Sequence, residues 1–159
     1  MKLALAMREL HRSELRLARS LNSIAARHHN DHGVHHVAVD LAVWSREHIA
    51  LIAQTGARYG ARMNEHPRTT ALTEQVQFWL SDRAGRRPEP GVLLLADLRR
   101  AHRLAAGVSL DWELLAQGAF AVNDHDLVAL TQRCHPQSLR QMRWANAMLK
   151  ELSPQVLST

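Results

Sequence analysis

Four long segments of this chain carry apolar residues that step by alternating threes and fours, and no other feature limits its fold as strongly. In the first segment, Leu3, Met7, Leu10, Glu14, Leu17, Leu21, Ile24 and His28 make one stripe of a helix, apolar except at two positions. Arg8, Arg12, Arg16 and Arg19 fall between them, on the face expected to meet water. Asn30-Asp31-His32-Gly33 then breaks the helix with turn chemistry. The second stripe runs through Val34, Val37, Leu41, Trp44, His48, Leu51 and Thr55 and ends near Gly56 or Gly60. A third follows through Leu95, Leu98, His102, Ala105, Ser109, Trp112, Ala116 and Ala119. After the turn and cap residues Asn123 and Asp124, a fourth runs through Leu127, Leu130, Cys134, Leu139, Met142, Ala145, Met148 and Leu149 to about Leu152. Pro136 lies inside this last helix and is expected to kink or split it, because proline removes a backbone donor.

Seven of the twelve Gly and Pro residues fall between Gly56 and Gly91, so residues 58–90 read as a connection between two smoother halves. Within it, residues 70–80 (TALTEQVQFWL) have the pattern of a short extra helix. Period-2 alternation is scarce and aromatics are only 4%, so nothing argues for a sheet. A short turn between long helices makes them antiparallel neighbours. The expected fold is therefore all-α: one domain over residues 1–159, a four-helix bundle of two antiparallel hairpins with one long crossover.

Composition removes several classes of function. Cys134 is the only cysteine, which excludes a disulfide framework and any multi-cysteine zinc or iron–sulfur site within one chain. A single thiol is consistent with a reducing cytoplasm. No run of eighteen apolar residues exists, so no membrane span is expected. The apolar stretch Leu3 to Met7 is too short for the core of a signal peptide and reads as the first turns of a helix. The net charge is +5, and eighteen of the twenty basic residues are Arg. The stripe Arg8-Arg12-Arg16-Arg19, with Arg83-Arg86-Arg87 and Arg99-Arg100-Arg103, suits an acidic protein or an anionic surface, or ordinary solvation. No base-reading element accompanies it, so nucleic acid is not the expected partner.

Polar residues on apolar stripes are the informative ones. Glu14 lies seventeen residues before Asp31 and His48 seventeen after it, so a hairpin sets them level. His102 lies eleven residues into the third helix, and His135 about twelve after the turn at Asn123. At about 1.5 Å per residue, Glu14, His48, His102 and His135 fall within roughly two turns of mid-bundle. One carboxylate and three imidazoles at that height suit iron, zinc or manganese. The same residues also suit a plainer role, as paired polar groups that fix helix register.

Three other features carry weaker signals. His28, His29, His32, His35 and His36 cluster at the first hairpin tip, with His28–His32 and His32–His36 four apart, as metal ligands on a helix are. The cluster could bind Zn²⁺, Ni²⁺ or Cu²⁺, serve as a pH-sensitive interface, or simply be solvated. Cys134 and His135 are adjacent, but neighbours on a helix point about 100° apart, so Cys134 reads as a small buried hydrophobe. Trp44, Trp112 and Trp144 sit on three stripes and Trp79 in the connection, as core filler or the lining of a ligand cavity. No phosphate loop, Gly-x-Ser-x-Gly or His-Glu-x-x-His occurs.

The two-hairpin layout, the mid-helix Glu14 and the stretch Trp44-Ser45-Arg46-Glu47-His48 resemble the ferritin-like superfamily. That resemblance implies a metal site inside the bundle, self-association into a homo-oligomer, and in the working members non-haem iron or manganese chemistry. The superfamily places Glu-x-x-His on its second and fourth helices. Here Ser45 precedes His48 by three, Gln132 precedes His135 by three, and the third helix offers Asp97 and His102. The expectation is thus a non-enzymatic interaction, assembly or metal-binding module that pairs with itself or another protein. The alternative is an iron- or manganese-dependent oxidoreductase, or an iron-handling protein, with an atypical site.

Overall fold

Both short turns anticipated from the sequence are closed by an aspartate. The backbone N–H of Val34 donates to Asp31 at 3.1 Å, and that of Leu127 donates to Asp124 at 2.9 Å, each satisfying a donor that a helix start leaves unpaired. In the computed structural model, which describes residues 2–70 and 89–158, these caps separate α1 (Lys2–Arg27) from α2 (His32–Ala57) and α3 (Pro90–Ala121) from α4 (His125–Leu157). Asn123 takes the left-handed φ of 55° that the second turn needs, a conformation asparagine tolerates well. No strand occurs among the described residues. The fold is all-helical: α1 packs on α2 and α3, α4 packs on α3, and α2 touches α4.

The connection between α2 and α3 is tied down in part along α1. Residues 60–69 run up α1: the Arg8 guanidinium donates to the Gly60 carbonyl, His11 bonds that of Asn64 at 2.8 Å, Arg19 donates to Arg68 and Asn22 to Thr69. Fourteen helical residues separate Arg8 from Asn22, so the segment covers about 21 Å of the helix axis. Two members of the arginine stripe are thereby committed to carbonyls of their own chain. The short helix expected over 70–80 lies, beyond Thr70, outside the described residues.

The stripe of α1 is buried as its spacing implies, from Met7 to Ile24. In α2 the buried line is shifted to Val34, Ala38, Leu41, Ser45, His48 and Ile52, while Val37 is exposed and Trp44, Leu51 and Thr55 lie at the edge. The start of α3 buries Leu94, Asp97 and Leu98 rather than Leu95. The larger departure is in α4, whose buried line is Leu127, Thr131, Cys134, Ser138, Gln141 and Ala145. Leu130, Leu139 and Met142 are only half-buried. One interior face of the bundle is therefore polar. Nor does Pro136 split α4, which runs unbroken through it to Leu157. Long helical segments on both sides, packed along α3, hold the helix across the donor that Pro136 lacks.

Apolar packing surrounds that polar face. Met7, Leu10, Leu17, Leu21, Trp112, Leu115 and Leu127 form one core cluster, and Ile24, Val34, Ala38, Leu94, Leu98 and Ala145 form another nearer the α1–α2 turn. Each fully buried Leu contributes about 1.5–3 kcal/mol. Arg27 and His28 both bond the Asp97 carboxylate, Arg27 at 2.9 and 3.1 Å and His28 at 2.9 Å, which ties the end of α1 to the beginning of α3.

Candidate functional site: a buried Glu14–His48 network

Glu14 and His48 meet in the interior, with side-chain exposures of 0% and 1%. His48 donates from Nδ1 to Glu14 Oε1 at 2.7 Å, and its Nε2 lies 2.7 Å from Gln137 Oε1. The indole N–H of Trp112 donates to the same Glu14 oxygen at 2.9 Å. The His48 ring also stands edge-on to Trp112, with centroids 5.6 Å apart. Four helices supply one residue each to this set. Burial alone would drive the imidazole toward its neutral form. The Glu14 carboxylate, with help from the adjacent Cys134, more than offsets that and pushes the His48 pKa up to about 10. The pair is a buried imidazolium–carboxylate, with both imidazolium N–H groups facing oxygen acceptors.

A polar fringe continues the network one turn away. Gln141 donates to the Leu41 carbonyl and to Ser45 Oγ, both at 2.9 Å, bridging α4 to α2. Among the described residues, Glu14 Oε2, Ser138 Oγ and Gln141 Oε1 are buried without a protein hydrogen-bond partner.

Of the residues anticipated as metal ligands, the structure brings Glu14 and His48 into contact and gives His102 and His135 other partners. His102 Nδ1 donates to the Met142 carbonyl at 3.1 Å, and His135 Nε2 shares a 2.9 Å hydrogen bond with Ser109 Oγ. Both are half-buried between α3 and α4. Among the described residues, no group of three or more His, Cys, Asp or Glu is arranged to hold a metal ion. Cys134 is buried as expected, with its thiol beside the His48 ring.

Sequence reasoning missed Gln137, Gln141, Ser45 and Ser138. Ser45 is visible in the sequence as the residue three before His48, but nothing in that position marks it as the acceptor of Gln141. The glutamines and Ser138 carry no hydrophobic signal, and the leucine and methionine beside them drew the stripe to the wrong face. Trp112 was placed on its stripe, but its role as a donor to Glu14 needs three-dimensional contact.

No family model matches the chain, and no curated protein or solved structure matches it either. Among the described residues no helix is long and apolar enough to cross a membrane.

Proposed function

We propose that this chain is a non-enzymatic helical-bundle module for assembly with itself or a protein partner, and that Glu14–His48 is its internal register pin. One observation carries this reading. Both ring nitrogens of His48 already face protein oxygens, so the imidazolium has no lone pair to offer a metal ion or a substrate proton. The pair instead discriminates between helix registers, since a slip of one turn would strand a buried charge.

A ferritin-like arrangement is part of the proposal, supported by the order of contacts. Contacts step down α1 as they step up α2, from Ala25 with His35 to Glu14 with His48. They step the same way between α3 and α4, from His102 with Met142 to Ser109 with His135. Arg27 with Asp97 and Glu14 with Trp112 give α1 and α3 opposite directions too. Two antiparallel hairpins joined by one crossover along α1 account for all of these. Leu110 and Leu114, one turn apart on α3 and 66% and 67% exposed, support an association surface.

Light scattering of the purified chain at two salt concentrations, with metal analysis of the same sample, tests the proposal. Self-association without stoichiometric metal is expected, and a strict monomer at all concentrations counts against homo-oligomeric assembly. A second reading rests on the unpartnered Glu14 Oε2, which leaves room for an atypical iron, zinc or manganese site with His102 and His135 drawn in. Near-stoichiometric metal that is lost on His48→Ala would favour it.

A further inference from the structure

The turn where α1 hands over to α2 carries a second concentration of titratable side chains, which the buried network does not use. His28 there is bound to Asp97, and His29 Nδ1 lies 3.2 Å from the Ala26 carbonyl. The other three histidines stand on the first two turns of α2. His32 and His36 are four residues apart, both exposed, with rings nearly parallel (13°) and centroids 6.1 Å apart. His35 presents its ring edge-on to His36 at 5.1 Å.

We propose that His32 and His36 chelate one divalent transition ion of borderline softness, copper(II), nickel(II) or zinc(II), on the outer face of α2. Imidazole nitrogens are the preferred ligands of these ions, and histidines at i and i+4 on one helix face can hold them as a pair. Metal–nitrogen bonds are about 2.0–2.1 Å long, so each ring must turn a nitrogen inward from the stacked arrangement. Exposure leaves both rings free to do so. Among the described residues neither His32 nor His36 has a hydrogen-bond partner to give up. The helix made the spacing, and α2 begins at His32 because Asp31 caps it, so both ligands belong to a formed helix.

His35 is prepared for the same chemistry. Its Nδ1 donates to the Ala25 carbonyl at 2.8 Å, which leaves the lone pair on Nε2, the tautomer that metal-bound histidines commonly show. It lies beside the pair, not in it, and the remaining coordination positions fall to solvent. The positive end of the α2 dipole opposes a cation here, and the Asp31 carboxylate on the cap works against that opposition. This inference is independent of the buried network, which lies several turns away along α1 and α2.

Isothermal titration of the full, tag-free chain with Cu²⁺, Ni²⁺ and Zn²⁺ separately tests it, using the wild type, His32→Ala, His36→Ala, the double variant and His35→Ala. Circular dichroism confirms that each variant keeps its helix content. One ion per chain is expected, with affinity at least tenfold weaker in either single variant of the pair and within about twofold of the wild type in His35→Ala. Binding undiminished in the double variant, or no binding of any of the three ions by the wild type, overturns the proposal.

Discussion

His48 and Glu14 form a 2.7 Å hydrogen bond inside the bundle, with neither side chain more than 1% exposed, and each lies seventeen residues from the Asp31 that caps α2. Chain length alone sets them level. What it does not set is the cost of parting them. Removing Glu14 leaves the buried His48 ring without its carboxylate and the Trp112 indole N–H without its acceptor. Glu14→Ala is expected to lower stability by about 3–5 kcal/mol, as other broken buried ion pairs do. Urea denaturation read by circular dichroism measures this, and a loss below about 1 kcal/mol would mean that the pair holds nothing together.

The same pair gives stability a pH dependence whose sign is fixed. His48 titrates near 6.5 when unfolded and near 10 in the fold, so the native state holds a proton that the unfolded chain has released. Its contribution is complete below pH 6.5 and is lost as pH rises through about 10. Denaturation midpoints of the wild type should fall across that window. His48→Gln, starting lower, should show a flatter profile. Parallel profiles for the two proteins would remove His48 as the cause.

How much of this could be read from the sequence differs from helix to helix. In α1 the apolar stripe is unambiguous because arginines fill the intervening face, and the structure buries it from Met7 to Ile24. The level pairing of Glu14 with His48 followed from counting about one turn. α4 was harder to read, because its buried face is Thr131, Cys134, Ser138 and Gln141, and apolar periodicity cannot mark a polar interior. His102 and His135 lie on the α3–α4 seam, bonded to Met142 and Ser109. Height along a helix constrains one coordinate, and the azimuth decides the partner.

Pro136 offers a prediction in the opposite direction. α4 is continuous through it, so the carbonyl of Gln132 lacks the N–H it would meet in an unbroken helix. Pro136→Ala restores that donor on an exposed position and should stabilise the chain by about 1–3 kcal/mol. Thermal unfolding settles it, and a lower midpoint would show that the proline shapes the helix usefully.

The crossover can be loosened without touching the core. His11 holds the Asn64 carbonyl, and Gly60 sits at φ +72°, a conformation that side chains rarely adopt. Gly60→Ala should cost about 1 kcal/mol. His11→Ala should raise proteolytic cleavage within residues 60–70 while changing global stability by less than about 1.5 kcal/mol. Cleavage at wild-type rates in His11→Ala would mean that this bond does not hold the segment to α1.

The apolar pair proposed as an association surface is open to substitution. Leu110→Asp together with Leu114→Asp removes the apolar pair exposed on α3 and leaves the interior alone. Light scattering should then report a smaller particle than the wild type at equal concentration, with helix content unchanged. An unchanged mass would count against Leu110 and Leu114 as an association surface.

The central claim is that His48 is fully protonated and bound on both sides by the chain itself. Nitrogen-15 NMR of the histidine side chains at pH 7.5 tests it most directly. Two protonated ring nitrogens are expected on His48, persisting as pH rises toward about 10 and unmoved by added iron, zinc or manganese. A neutral His48 ring at that pH, or a nitrogen that loses its proton when metal is added, would contradict it.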